Sequence, residues 1–206
     1  MKIKGTVIRT SSGWPCLFCA SGASINEIEL IKFKKKIEEF DCYRCGIYYV
    51  DYNCSLNYKW SAKDLSLMLN YHLLNRDSGQ KSVYSLEVNR IIDGVRWINP
   101  KSLLENWPKD TIQRVEKTLV NIYLYFDWKT YSELWTNQYL FELLSFASRK
   151  KSCDEELESI DRILKLLEIE HYVTRDTDLE GFPKYMLTLN GMKRAKSILN
   201  GMEYPS

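Results

Sequence analysis

Cys16-Leu-Phe-Cys19 and Cys42-Tyr-Arg-Cys45 decide how the first part of this chain is read. Each pair holds two residues between its cysteines, and 22 residues (20–41) separate the pairs. Two intervening residues let both thiolates of a tight turn point at one ion, and two such turns complete a tetrahedron of soft ligands. The spacer slightly exceeds the usual range, at small expense, because closure entropy grows slowly with loop length. The pattern therefore predicts a closed, structural zinc site built from Cys16, Cys19, Cys42 and Cys45. Iron suits four thiolates at the same spacing.

Other uses of these cysteines fit less well. A redox dithiol needs one pair on a βαβ scaffold, and here a second pair recurs in strand-rich sequence. Met1 to Arg9 lacks the apolar core of a secretory signal. Cys54 and Cys153 have no obvious partners, which suits a reducing cytoplasm better than a disulfide framework. A zinc deaminase needs a His-x-Glu segment, and neither His72 nor His171 is followed by one.

Working outward, residues 1–60 read as a small β zinc ribbon, with Val7-Ile8 before the first cysteine turn and Ile47-Tyr-Tyr-Val50 after the second. Glu27 to Phe40 is mixed in character. Lys32, Lys34, Lys35 and Lys36 form a basic cluster that is either a solvated face or, with Arg44, Tyr43, Tyr48 and Tyr49, a nucleic-acid contact. Residues 61–107 read as a helical connector. It opens at Ser61-Ala-Lys-Asp64, a capping box for a helix through about Asn75. His72 lies on that helix and reads as a core or surface histidine, since four cysteines already fill a metal shell. Val83 to Ile92 is a strand or short helix, and Asn99-Pro100 and Trp107-Pro108 mark breaks.

Residues 108–200 hold four helical stretches. Ile112, Val115, Leu119, Ile122 and Tyr123 form one apolar face of the first, through about Phe126. Tyr139 to Ala147 is a second. Asp154 to Ile169 is the third, with Leu157, Ile160, Ile163, Leu164 and Leu167 as its buried face. Tyr172-Val-Thr174 and Tyr185-Met-Leu-Thr-Leu189 read as strands around a turn-rich segment, and Met192 to Leu199 as a last helix. Leu187-Thr-Leu-Asn-Gly191-Met-Lys-Arg-Ala195 resembles the ending common to winged-helix proteins. The fold class expected is α+β: ribbon, connector, C-terminal winged helix-turn-helix, then a tail from residue 201 to 206.

Charge bears on partners. The chain carries +2 overall, distributed as +3 over residues 1–60, +1 over 61–110, +2 over 111–152 and −4 over 153–206. The third helix of a winged helix usually enters the major groove. Here residues 154–170 hold Asp154, Glu155, Glu156, Glu158, Asp161, Glu168 and Glu170 against Arg162 and Lys165. Duplex binding rests on neutralising phosphates, so this helix is expected to be repelled and to face a protein instead. With two histidines, no phosphate loop and no nucleophile elbow, an enzyme is not expected. No apolar run has the length of a membrane span, so a cytoplasmic protein is expected.

The four cysteines, the Pro108-initiated helix and Leu187-Thr-Leu-Asn-Gly191 together make the chain similar in organisation to the N-terminal half of certain bacterial anti-phage effectors. In those, such a region precedes a nucleoside deoxyribosyltransferase-like or TIR-like domain. The resemblance implies a zinc-binding regulatory or scaffolding part that engages a protein or nucleoprotein partner, such as an effector domain. The alternative is a nucleic-acid-binding regulator that uses Lys32, Lys34, Lys35, Lys36 and Arg44.

Overall fold

The computed structural model describes residues 5–30, 35–57, 60–76, 81–86, 89–92, 95–125, 142–146, 153–177 and 183–201. The chain divides into two compact units, Met1–Trp107 and Pro108–Ser206. The fold is mixed α/β. Among the described residues no helix is long and apolar enough to cross a membrane.

The first unit is built on a seven-stranded sheet. Strands β1 (Thr6–Pro15), β2 (Gly22–Leu30), β3 (Lys35–Cys42) and β4 (Gly46–Asp51) form an antiparallel meander. The chain then runs through α1 (Tyr52–Asn57) and α2 (Ala62–Asn75) before returning as β5 (Ser82–Tyr84). Such a long excursion is what a parallel neighbour requires, and β5 pairs with β4 in parallel. β6 (Arg90–Ile92) and β7 (Val95–Ile98) complete the order β1-β2-β3-β4-β5-β7-β6. A 3₁₀ helix, Pro100–Asn106, follows.

Residues 61–107 are thus no separate helical connector. Their strands β5, β6 and β7 extend the sheet that carries the cysteines, and Val83, Tyr84, Trp97 and Ile98 are buried there. The mixed stretch Glu27 to Phe40 resolves into the end of β2 and most of β3. Ile37, Glu38, Glu39 and Phe40 are buried consecutively, so both faces of β3 are covered, and period-two alternation fails as a strand signal. One face holds Ile28, Leu30, Ile37, Tyr49, Val83 and Trp97. On the other, Phe40 stacks on Tyr48, and Tyr84 donates its hydroxyl to the Met68 carbonyl of α2 at 2.9 Å. The capping box that opens α2 is complete. Ser61 Oγ accepts from the Asp64 amide, and Asp64 accepts from the Ser61 amide.

The second unit contains α3 (Thr111–Tyr125), α4 (Cys153–Ile169), a two-stranded hairpin of β8 (Val173–Thr177) and β9 (Pro183–Leu187), and α5 (Leu189–Gly201). Of the stretch expected to be helical from Tyr139 to Ala147, residues 142–146 are described, and Glu142–Leu144 form a helical turn. Asn121 and Arg114 of α3 hold it by donating to the Leu144 and Ser145 carbonyls at 2.9 and 2.7 Å. The last helix runs through Gly201, the first residue of the expected tail, and residues 202–206 lie outside the described set.

α4 ends in a left-handed cap. His171 has φ +56°, its amide bonds to the Glu168 carbonyl, and the Tyr172 amide reaches back to Leu167 at 2.8 Å. That reciprocal pair of bonds favours glycine at the left-handed position. His171→Gly is expected to raise the stability of this unit by about 0.5–1 kcal/mol. A urea midpoint that moves down instead would contradict the cap.

Candidate metal centre

The hairpin tips β1–β2 and β3–β4 lie side by side, because β2 pairs with β3 from Ala23↔Cys42 onward. Each tip is one cysteine turn. In the first, the Cys16 amide bonds to the Ser21 carbonyl at 2.7 Å and the Ala20 amide to the Cys16 carbonyl at 2.9 Å. In the second, the Cys45 amide points at Cys42 Sγ, 3.5 Å away. The residue after the second cysteine is left-handed in both turns: Ala20 at φ +55° and Gly46 at φ +79°. The repeated C-x2-C spacing is therefore a repeated backbone shape.

That shape sets unequal demands on the two turns. A Cβ at Gly46 would meet only Arg76 Cδ at 3.8 Å, so its penalty is conformational rather than steric. Gly46→Ala is expected to destabilise the loaded protein by about 1–2 kcal/mol. Ala20→Gly is expected to stabilise it by up to about 1 kcal/mol. Thermal melts of the two variants should shift in opposite directions.

The four sulfurs converge. All lie within 4.8 Å of one another, Cys19 Sγ and Cys42 Sγ are 3.6 Å apart, and all four residues are buried. A tetrahedral zinc with bonds of about 2.3 Å needs sulfurs about 3.8 Å apart. Cys16, Cys19, Cys42, Cys45 and Cys54 are free of disulfides. The donor set and its spacing fit a four-thiolate ion such as zinc.

The four crowded thiols shift one another's pKa values. Hydrogen bonds from Cys16 first, then from Cys42 and Cys45, hold Cys19 well below the ordinary thiol range. The bond with Cys16 brings Cys42 down to about 6. Cys16, bonded to Cys19, and Cys45, bonded to Cys16 and its neighbours, are pushed up, with burial adding to both. Four buried sulfurs can all carry charge only against a cation.

Two side chains that the sequence did not assign to the metal touch this cluster: His72, and Tyr48, which like Tyr49 is buried and so cannot be the nucleic-acid platform expected of it. The Tyr48 hydroxyl lies 3.2 Å from Cys16 Sγ and accepts the Leu17 amide at 3.1 Å. His72 Nε2 lies 2.7 Å from the Cys45 carbonyl oxygen. A carbonyl only accepts, so Nε2 carries the donated hydrogen, and burial lowers the His72 pKa. Phe18, fully enclosed, packs on both rings, with centroids 4.5 Å from Tyr48 and 5.8 Å from His72. The signals were present: a histidine within the helix that follows the cysteine turns, and a tyrosine three residues past the second pair. Their meaning required the sheet.

The expected nucleic-acid contacts fare differently. Lys32 and Lys34 lie outside the described residues. Lys35 bridges Asp51 at 3.4 Å and sits over the Trp97 ring, while Lys36 sits over Tyr52. Arg44 stands over Tyr43 at the tip of the second turn, and Tyr43 is 76% exposed.

No protein-family model, characterised protein or solved structure matches this chain.

Proposed function

We propose that this chain is a non-enzymatic, zinc-binding regulatory or scaffolding module that engages a protein or nucleoprotein partner. The observation that carries the reading is the buried convergence of Cys16, Cys19, Cys42 and Cys45. Four protein thiolates complete a tetrahedral shell and leave no position for water or substrate, which is the arrangement of a structural ion. Zinc, when bound, supplies folding energy and cross-links two hairpins.

The second unit is read as a winged helix. Support comes from the succession of α4, hairpin and α5, and from the way Thr188 and Gly191 serve the Leu-Thr-x-x-Gly pattern. Thr188 Oγ1 donates to the His171 carbonyl at 2.6 Å and accepts the Gly191 amide at 3.0 Å, so it caps α5 and ties it to the end of α4. The acidic excess of residues 154–170 favours a partner with a basic protein surface over duplex DNA. The similarity in organisation to anti-phage effectors makes an effector domain a fitting partner.

Native mass spectrometry of the protein purified from its own cells tests this reading. One zinc and one stoichiometric protein partner are expected. A Cys16→Ser/Cys42→Ser variant that kept the partner would sink the proposal, and so would an ion-free native protein.

A second reading rests on the exposed Tyr43 with Arg44 above it, a stacking platform beside a cation. It predicts binding to single-stranded nucleic acid that weakens as salt rises and weakens further in Arg44→Ala. Salt-independent or absent binding in fluorescence anisotropy would reject it. Lys35 and Lys36, drawn into contacts within the chain, give this reading less support than the sequence did.

A further inference from the structure

The metal cluster has two unequal clamps, one for each cysteine turn, and both come from the same face of the sheet. The first turn is gripped by β4. Tyr48 Oη accepts the Leu17 amide at 3.1 Å, which leaves its hydrogen for Cys16 Sγ at 3.2 Å. A phenol holding both the backbone of a turn and the sulfur it presents fixes that sulfur's direction. The second turn is gripped by α2. His72 donates from Nε2 to the Cys45 carbonyl at 2.7 Å, across 27 residues of sequence. Phe18, from inside the first turn, packs on both rings, which meet each other edge to face. Tyr48 and His72 are themselves buried, so water does not compete for these bonds.

The consequence differs for the two residues. Tyr48 touches a ligand atom and bears on the electron density of one sulfur. His72 touches only backbone, so it bears on where Cys45 stands. We propose that Tyr48 and His72 are positioning residues of the metal centre, Tyr48 by a hydrogen bond to the Cys16 sulfur and His72 by tethering Cys45 to α2. The proposal rests on the metal-binding reading above and adds to it a coupling. Whatever seats α2 on the sheet also tightens the ion, and the ion in turn seats α2, since linkage between two such equilibria is reciprocal. Partners of ligating residues typically change metal affinity by about 10–100-fold when removed.

The test compares wild type with Tyr48→Phe, His72→Phe and His72→Gln. Zinc affinity is measured by competition with a chromophoric chelator. Zinc release from loaded protein is timed, and the sulfur-to-cobalt charge-transfer band is recorded after cobalt substitution. Tyr48→Phe is expected to weaken zinc about 10-fold and to shift the cobalt band. His72→Phe is expected to weaken zinc about 10-fold and speed its release, with the band unmoved. His72→Gln, whose amide can donate from a similar place, should recover much of the loss. Wild-type affinity and band in both phenylalanine variants would overturn the proposal. So would a glutamine variant no better than the phenylalanine one, because packing alone would then explain the defect. Wild type that binds neither zinc nor cobalt would fail at an earlier point, removing the metal reading itself and this inference with it.

Discussion

Cys16→Ser/Cys42→Ser is expected to lose its metal and with it the folded Met1–Trp107 unit. The two substitutions remove one ligand from each turn, so neither hairpin tip keeps a complete half-shell. A structural zinc bound by four thiolates contributes about 10–16 kcal/mol at neutral pH. A whole domain of ordinary size is stable by about 5–15 kcal/mol. Removing a term as large as the total leaves no margin, and the buried thiols that remain lose their neutralising charge. Elemental analysis should find no zinc, and far-UV circular dichroism should lose its strand signal. Prolonged exposure of wild type to a strong chelator should reproduce the effect. A metal-free double variant with the wild-type spectrum would show that Trp97, Tyr84 and their neighbours hold the sheet unaided.

Gly191→Ala is expected to produce the largest loss in the second unit from a single added methyl group. A Cβ at this position would overlap the carbonyl oxygen of Tyr172 and come within 3.0 Å of Leu187 Cδ1. The oxygen belongs to backbone that is held from other directions. It accepts the Thr188 amide at 3.0 Å and the Thr188 hydroxyl at 3.1 Å. It therefore cannot yield without breaking the junction between α4, β9 and α5. Overpacking of this kind costs about 1–3 kcal/mol where neighbours can move, and the upper end applies here. Urea denaturation should show that loss. A change under about 0.5 kcal/mol would mean that the first turn of α5 does not sit on Tyr172.

These two sites were legible in the sequence to different depths. The cysteine pairs announced themselves by spacing, because metal geometry is local to each turn. The capping box at Ser61 and Asp64 and the extent of α2 were equally readable, since both ends of that signal lie within a few residues. Thr188 and Gly191 were recognisable as a pattern, but the reason for the glycine, the Tyr172 carbonyl, lies 19 residues away. β5 and β7 were beyond reach. They are three and four residues long; β5 pairs in parallel with β4 across a long excursion, and β7 pairs in parallel with β5. Short apolar runs of that kind read equally as helix or strand. Tyr48 and His72 were in view but not assignable to the metal site for a related reason, since the groups they meet there, on Cys16 and Cys45, lie 32 and 27 residues away in sequence.

The outermost strand of the meander, β1, is exposed along nearly all its length and, among the described residues, pairs only with β2. Such a strand can peel from its sheet without uncovering a core, and opening of that sort is the least expensive a domain allows. Its far end, however, runs through Pro15 directly into Cys16, whose sulfur belongs to the buried cluster. Unzipping from Thr6 therefore travels toward the ion and stops there. The cluster acts as a rivet at the end of a seam, so any opening of the strand is confined to the part that serves no ligand.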